Sequence, residues 1–87
     1  MHYQSCLRIG TARPIYDNRS CIRTDYKDAL ARFERFKEYW INRVLKYGDK
    51  AISADFTLYN SKGLKELTEK ILINPINQTF YTLEVTK

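Results

Sequence analysis

The sequence predicts an α+β fold: a small two-layer sandwich in which one long and one short helix cover one face of a mixed or mostly antiparallel four-stranded sheet, in the order β-β-α-β-α-β. Three observations predict it. Apolar and polar residues alternate over 50 to 60, an apolar stripe spaced by three and four runs through 24 to 47, and 87 residues leave room for one layer pair around one core. Residues 1 to 87 therefore read as a single domain, with N-terminal strands over 1 to 23, a long amphipathic helix over 24 to 47 and a strand-helix-strand unit over 50 to 87.

"YQSCLRI" at 3 to 9 alternates as a strand, with Ser5, Leu7 and Ile9 on one face and Gln4, Cys6 and Arg8 on the other. "GTARP" breaks it. A second extended segment covers part of "IYDNRSCIR", interrupted near the turn formers Asp17 and Asn18. In a symmetric hairpin Leu7 and Ile22 would face the core together, and Cys6 would lie across from Cys21.

Thr24 and Asp25 start the helix, a hydroxyl for a free amide and a carboxylate for the positive end of the dipole, and Gly48 stops it. Its apolar stripe is Tyr26, Ala29, Leu30, Phe33, Phe36, Trp40, Val44 and Tyr47, with Phe33, Phe36 and Trp40 read as core. "KAISADFTLYN" at 50 to 60 is a half-buried strand with Ile52, Ala54, Phe56 and Leu58 inward. "SKGLKELTEKILI" at 61 to 73 reads as a second, shorter helix: Ser61 as cap, Leu64, Leu67, Ile71 and Leu72 inward, and Glu66 and Lys70 paired at i,i+4. Pro75 ends it, and "TFYTLEVTK" closes the chain as a strand. A helix between the last two strands would let them run parallel through a right-handed crossover.

No run approaches the roughly 18 apolar residues of a membrane span, and "MHYQSCLRIG" lacks the basic and apolar regions of a secretory signal. The expectation is a cytoplasmic protein without membrane contact, in which Cys6 and Cys21 stay reduced although the hairpin would allow a disulfide. His2, Cys6 and Cys21 are the only Cys or His residues. Three such residues without a C-x-x-C pair make a poor metal site and give a thiol no positioned base. The carboxylates are scattered beside basic partners, and three glycines hold no phosphate loop. The reading is therefore no enzyme, no cofactor and no small-molecule substrate.

The net charge of +5 is unevenly placed: residues 1 to 47 carry ten basic and five acidic side chains, and residues 48 to 87 carry five of each. All the arginines lie at or before position 43, and five of the seven tyrosines fall within residues 1 to 47. These two residue types are enriched where surfaces make specific contacts, Arg for its planar fork and Tyr for its rigid area with a polar tip. On the helical wheel Arg32, Arg35, Tyr39, Arg43 and Lys46 fall within a quarter turn and form a basic ridge with a tyrosine in its middle. Asp28 can pair with Arg32, and Glu38 is within reach of Arg35. Arg8, Arg13, Arg19 and Arg23 extend the same bias through the N-terminal segment. A solvated helix face is the commoner reason for such a stripe; three arginines and a tyrosine gathered together lift this one above it.

Two binding functions fit. In the first, the ridge and the N-terminal arginines dock on a protein or a ribonucleoprotein complex. In the second, the chain is a small basic RNA- or DNA-binding module, with Arg and Lys on phosphates and Tyr39 stacking on bases. The second lacks a helix-turn-helix, a KH loop or an RNP1 octapeptide, and ten interspersed acids dilute its charge. In type, the chain is similar to the small inhibitors that phages and mobile elements encode against host defence complexes, anti-CRISPR proteins among them; the likeness is one of size and composition and implies a protein-binding inhibitor or adaptor.

Overall fold

The computed structural model describes residues 2–18 and 24–87. Among them the chain forms β1 (Gln4–Ile9), β2 (Ile15–Asp17), α1 (Tyr26–Tyr47), β3 (Ile52–Tyr59), β4 (Lys65–Asn74) and β5 (Thr79–Thr86). The class is α+β as the sequence predicts, but with one helix and five strands. Every pairing is antiparallel, in the order β2-β1-β3-β4-β5.

The first strand behaves as its alternation requires: Ser5 and Leu7 are buried under the helix, and Arg8 is exposed on the other face. The hairpin partner of Leu7 is Ile15, and that of Cys6 is Tyr16. Cys21 and Ile22 lie outside the described residues; Cys6 is a buried free thiol.

Asp25 rather than Thr24 caps α1, its carboxylate accepting from the Asp28 amide at 2.8 Å. The Thr24 hydroxyl instead donates to Asp28 Oδ2 at 2.5 Å. At the other end the Gly48 amide donates to the Val44 carbonyl at 2.8 Å, and a Cβ on Gly48 would sit 2.5 Å from that oxygen, so only glycine closes the helix this way. The helix is rotated from the predicted stripe. Ala29, Phe33, Phe36, Lys37 and Ile41 face the sheet, Leu30, Trp40 and Val44 lie at the margin of the core, and Tyr26 and Tyr47 are exposed. Two residues the stripe omitted, Ile41 and Lys37, are buried; Trp40, read as core, is only half-buried.

The segment 61 to 73 is the main correction. It is the end of a turn followed by β4, antiparallel to β3 over Ile52–Tyr59, with no helix and no crossover. The turn is built by Asn60, whose Oδ1 accepts from the Lys62 and Leu64 amides at 2.9 and 3.0 Å, and by Gly63 at φ 76°, a left-handed conformation that favours glycine. Ser61 is thus a turn residue, Leu64 is exposed, and Glu66 accepts from the Asn60 side chain rather than pairing with Lys70. Leu67, Glu69, Ile71 and Ile73 alternate toward α1. A buried charge sits in that row because Lys37 reaches it from the helix: its ammonium bonds Glu69 Oε2 and lies 2.9 Å from Glu34 Oε1.

The core lies between α1 and the middle of the sheet, with Phe33, Phe56, Leu7, Leu58 and Ile73 fully buried and Phe36 edge-on to Phe56 at 6.1 Å. The helix packs on β1, β3 and β4, and β5 is exposed along its whole length. Gln78, at φ 55°, ties the β4–β5 turn to the helix end by donating to the Leu45 and Pro75 carbonyls. Among the described residues no helix is long and apolar enough to cross a membrane.

Candidate functional site

The rotation that turns Phe33, Lys37 and Ile41 inward turns Arg32, Arg35 and Tyr39 toward the β2 end of the sheet. There the helix and the terminal strand bound a cleft of about 590 Å³, lined by Ile15, Tyr16 and Asp17 from β2 and by Arg32, Arg35, Phe36, Tyr39 and Trp40 from α1. The floor is apolar, Phe36 from the core and Trp40 from its margin; the rim is charged.

The two arginines of the cleft differ. Arg32 is half-buried and bonded to Asp28 at 3.4 Å. With the Thr24 hydroxyl foremost and Arg32 second, these partners hold the Asp28 carboxyl below the usual aspartate range. Arg35 is exposed and forms no hydrogen bond or ion pair among the described residues; Glu38 does not engage it. Its five donors are open to a ligand.

One turn further along, Arg43 lies 5.7 Å from the ring centres of Tyr39 and Trp40 and 5.4 Å from that of Tyr47, and its Nη1 makes a long 3.4 Å contact with the Tyr39 hydroxyl. Lys46 lies 5.3 Å from the Tyr47 ring. Tyr39 and Trp40 pack edge to face at 5.4 Å. Cation–π contacts at such exposed sites contribute about 0.5 to 1 kcal/mol each. Their larger effect is to hold the guanidinium on an aromatic shelf without a carboxylate, so that less rotamer freedom is lost when a partner binds.

The ridge residues Arg32, Arg35, Tyr39, Arg43 and Lys46 therefore share one surface, the first three at the cleft and the last two beyond it. Arg8 and Arg13 do not join them as a continuous patch. Arg8 is on the open face of the sheet, in a second hollow of about 300 Å³ with Cys6, Tyr16 and Tyr59. Arg13 is exposed in the β1–β2 loop, and Arg19 and Arg23 lie outside the described residues. The pairing register sets Arg8 opposite Asp55, Asp55 opposite Lys70 and Lys70 opposite Glu84, so charge alternates in sign across four strands and the open face presents no uniformly basic field.

Sequence reasoning placed an extended segment within 15 to 23 but not the cleft that its first residues, β2, form with α1. Tyr16 borders both hollows, and burial pushes the neighbouring Cys6 thiol above its ordinary pKa, while the closeness of Cys6 pushes the Tyr16 hydroxyl up; at neutral pH both stay protonated. A three-residue strand gives almost no alternation to read, and the visible signal was the Pro14 before it. Among the described residues no three His, Cys, Asp or Glu side chains gather in a metal-binding group.

Searched against family models, curated proteins and solved structures, the chain matches none.

Proposed function

We propose that this chain is a non-enzymatic protein-binding module, an inhibitor or adaptor of the small kind encoded by phages and mobile elements, that docks on a protein or a ribonucleoprotein complex through the arginine and tyrosine face of α1. The observation that carries the reading is the placement of Arg32, Arg35 and Tyr39 along a cleft with an apolar floor, beside an Arg43 braced by three rings. Aromatic and arginine anchors around a desolvated centre are where binding energy concentrates in protein interfaces. A polyanion reader would be served by a broad basic field, and the alternating charges of the sheet argue against one there.

The test is capture from the native host by the wild-type chain and by Arg35→Glu/Arg43→Glu, with partners identified by mass spectrometry. The double variant is expected to lose the partner while its helical circular dichroism and melting temperature stay near wild type, since neither guanidinium is buried. Equal capture by both would refute the reading. Steep, salt-sensitive binding to short RNA or DNA in an anisotropy titration, lost in the same variant, would replace it with the nucleic-acid function.

A further inference from the structure

We infer that the cleft takes an extended acidic peptide segment of the partner as a sixth strand on the outer edge of β2; this rests on the protein-binding reading above and names the form the bound partner takes. The geometry of the lining points to it. Ile15, Tyr16 and Asp17 are consecutive, and all three border the cleft. Consecutive strand residues send their side chains to opposite faces, so a cleft that touches three in a row runs along the strand's edge rather than over one face. That edge is the end of the sheet: β2 pairs with β1 on one side and has no strand partner on the other among the described residues.

The size fits a short strand. From Arg32 to Trp40 the helix wall is about 12 Å long at 1.5 Å per residue, the reach of about four strand residues. In an antiparallel ladder the amides of an edge strand alternate between its partner and the outer side, and Pro14 has no N–H to prolong the ladder beyond the start of β2. Main-chain bonds would give the peptide its register, and side chains alternating toward the helix would meet Phe36 and Trp40 below and the arginines at the rim.

The charge chooses the ligand. Arg35 has no carboxylate partner among the described residues, Arg32 stands one turn away, and a guanidinium pairs with a carboxylate in two parallel bonds. Asp17 is the one acid on the wall. Like charges directly across a pair are unfavourable, so the residue opposite Asp17 is neutral or basic and the acids sit toward the helix. Acidic residues alternating with apolar ones, followed by a neutral end, meet these conditions.

The probe is the fluorescein-labelled hexapeptide Glu-Val-Glu-Val-Thr-Val, titrated into the full chain beside its Lys-Val-Lys-Val-Thr-Val counterpart. The acidic peptide is expected to bind about ten-fold or more tightly than the basic one, and Arg35→Glu to remove that preference. N-methylation of alternate peptide amides is expected to abolish binding for one alternate set and spare the other, and amide exchange in an isotope-labelled chain to slow at β2. Equal affinity for the two peptides, indifference to both methylation sets, protection at β5 instead of β2, or tighter occupation of the cleft by an oligothymidylate would each overturn the inference. If the Arg35→Glu/Arg43→Glu variant still loses the native partner while the hexapeptide does not bind, strand addition fails and the protein-binding function stands.

Discussion

The ion pair between Lys37 and Glu69 sets up a prediction whose size follows from its burial. Lys37 retains 8% of its side-chain exposure and Glu69 13%, and among the described residues the one other carboxylate on the ammonium is Glu34, 63% exposed and 2.9 Å away. Lys37→Met keeps the stem beside the Phe33 ring, 5.2 Å from the ammonium, and strands the Glu69 carboxylate; Glu69→Leu leaves the ammonium to Glu34. Removing one partner of a buried pair costs about 3 to 5 kcal/mol, and the residual water and Glu34 bring the expected cost of each single change to about 2 to 3 kcal/mol. At about 4 to 8 °C per kcal/mol for a domain of this size, each single variant should melt about 10 to 20 °C lower. The double variant Lys37→Met/Glu69→Leu restores an apolar contact across the layers and should fall within about 1 kcal/mol of wild type. Urea unfolding followed by circular dichroism, analysed as a double-mutant cycle, reads the coupling, expected to be at least about 2 kcal/mol. Single variants each within about 0.5 kcal/mol of wild type, with additive effects, would mean a solvated pair of the weak surface kind and would refute the argument that it docks the helix on β4.

Two further predictions follow from the same geometry. Phe33→Ala empties a fully buried site and should cost about 3 to 5 kcal/mol, whereas Trp40→Ala, at the cleft margin, should cost about 1 to 2 kcal/mol; equal losses in urea unfolding would place the indole in the core. The depressed Asp28 carboxyl favours the folded state fully above the ordinary aspartate pKa and loses that contribution as pH falls through its own lower value. In a carbon-detected NMR titration the Asp28 midpoint should rise toward the ordinary value in Thr24→Val, and by a smaller amount in Arg32→Ala; an unmoved midpoint would show that neither group sets it.

The alternations of β1 and β3 and the stripe of α1 were legible almost to their ends in the sequence, since each carries an unbroken period and buries a face of its own. β4 was not. Its inward row is Leu67, Glu69, Ile71 and Ile73, and the glutamate interrupts the alternation that would have marked a strand, leaving Leu64, Leu67, Ile71 and Leu72 to imitate a helical face. What allows the charge there is Lys37, thirty-two residues earlier, which the wheel had left off the core face. One long-range pair thus concealed both the fifth strand and the true rotation of the helix. Gly63 gave the local warning, a poor residue for a first helical turn and a good one for the left-handed corner it occupies. The ridge on α1 was readable because three and four spacings on a helix place side chains together wherever the helix lies; its cleft was not, because β2 contributes the other wall through tertiary structure alone.

The most direct test of the account is hydrogen exchange on the full chain, free and bound to the partner it captures from its host. Slowed exchange concentrated on β2 and on the stretch of α1 from Arg32 to Arg43 is the predicted footprint. Protection confined to β5 or to the open face of the sheet, with the helix ridge unchanged, would contradict it.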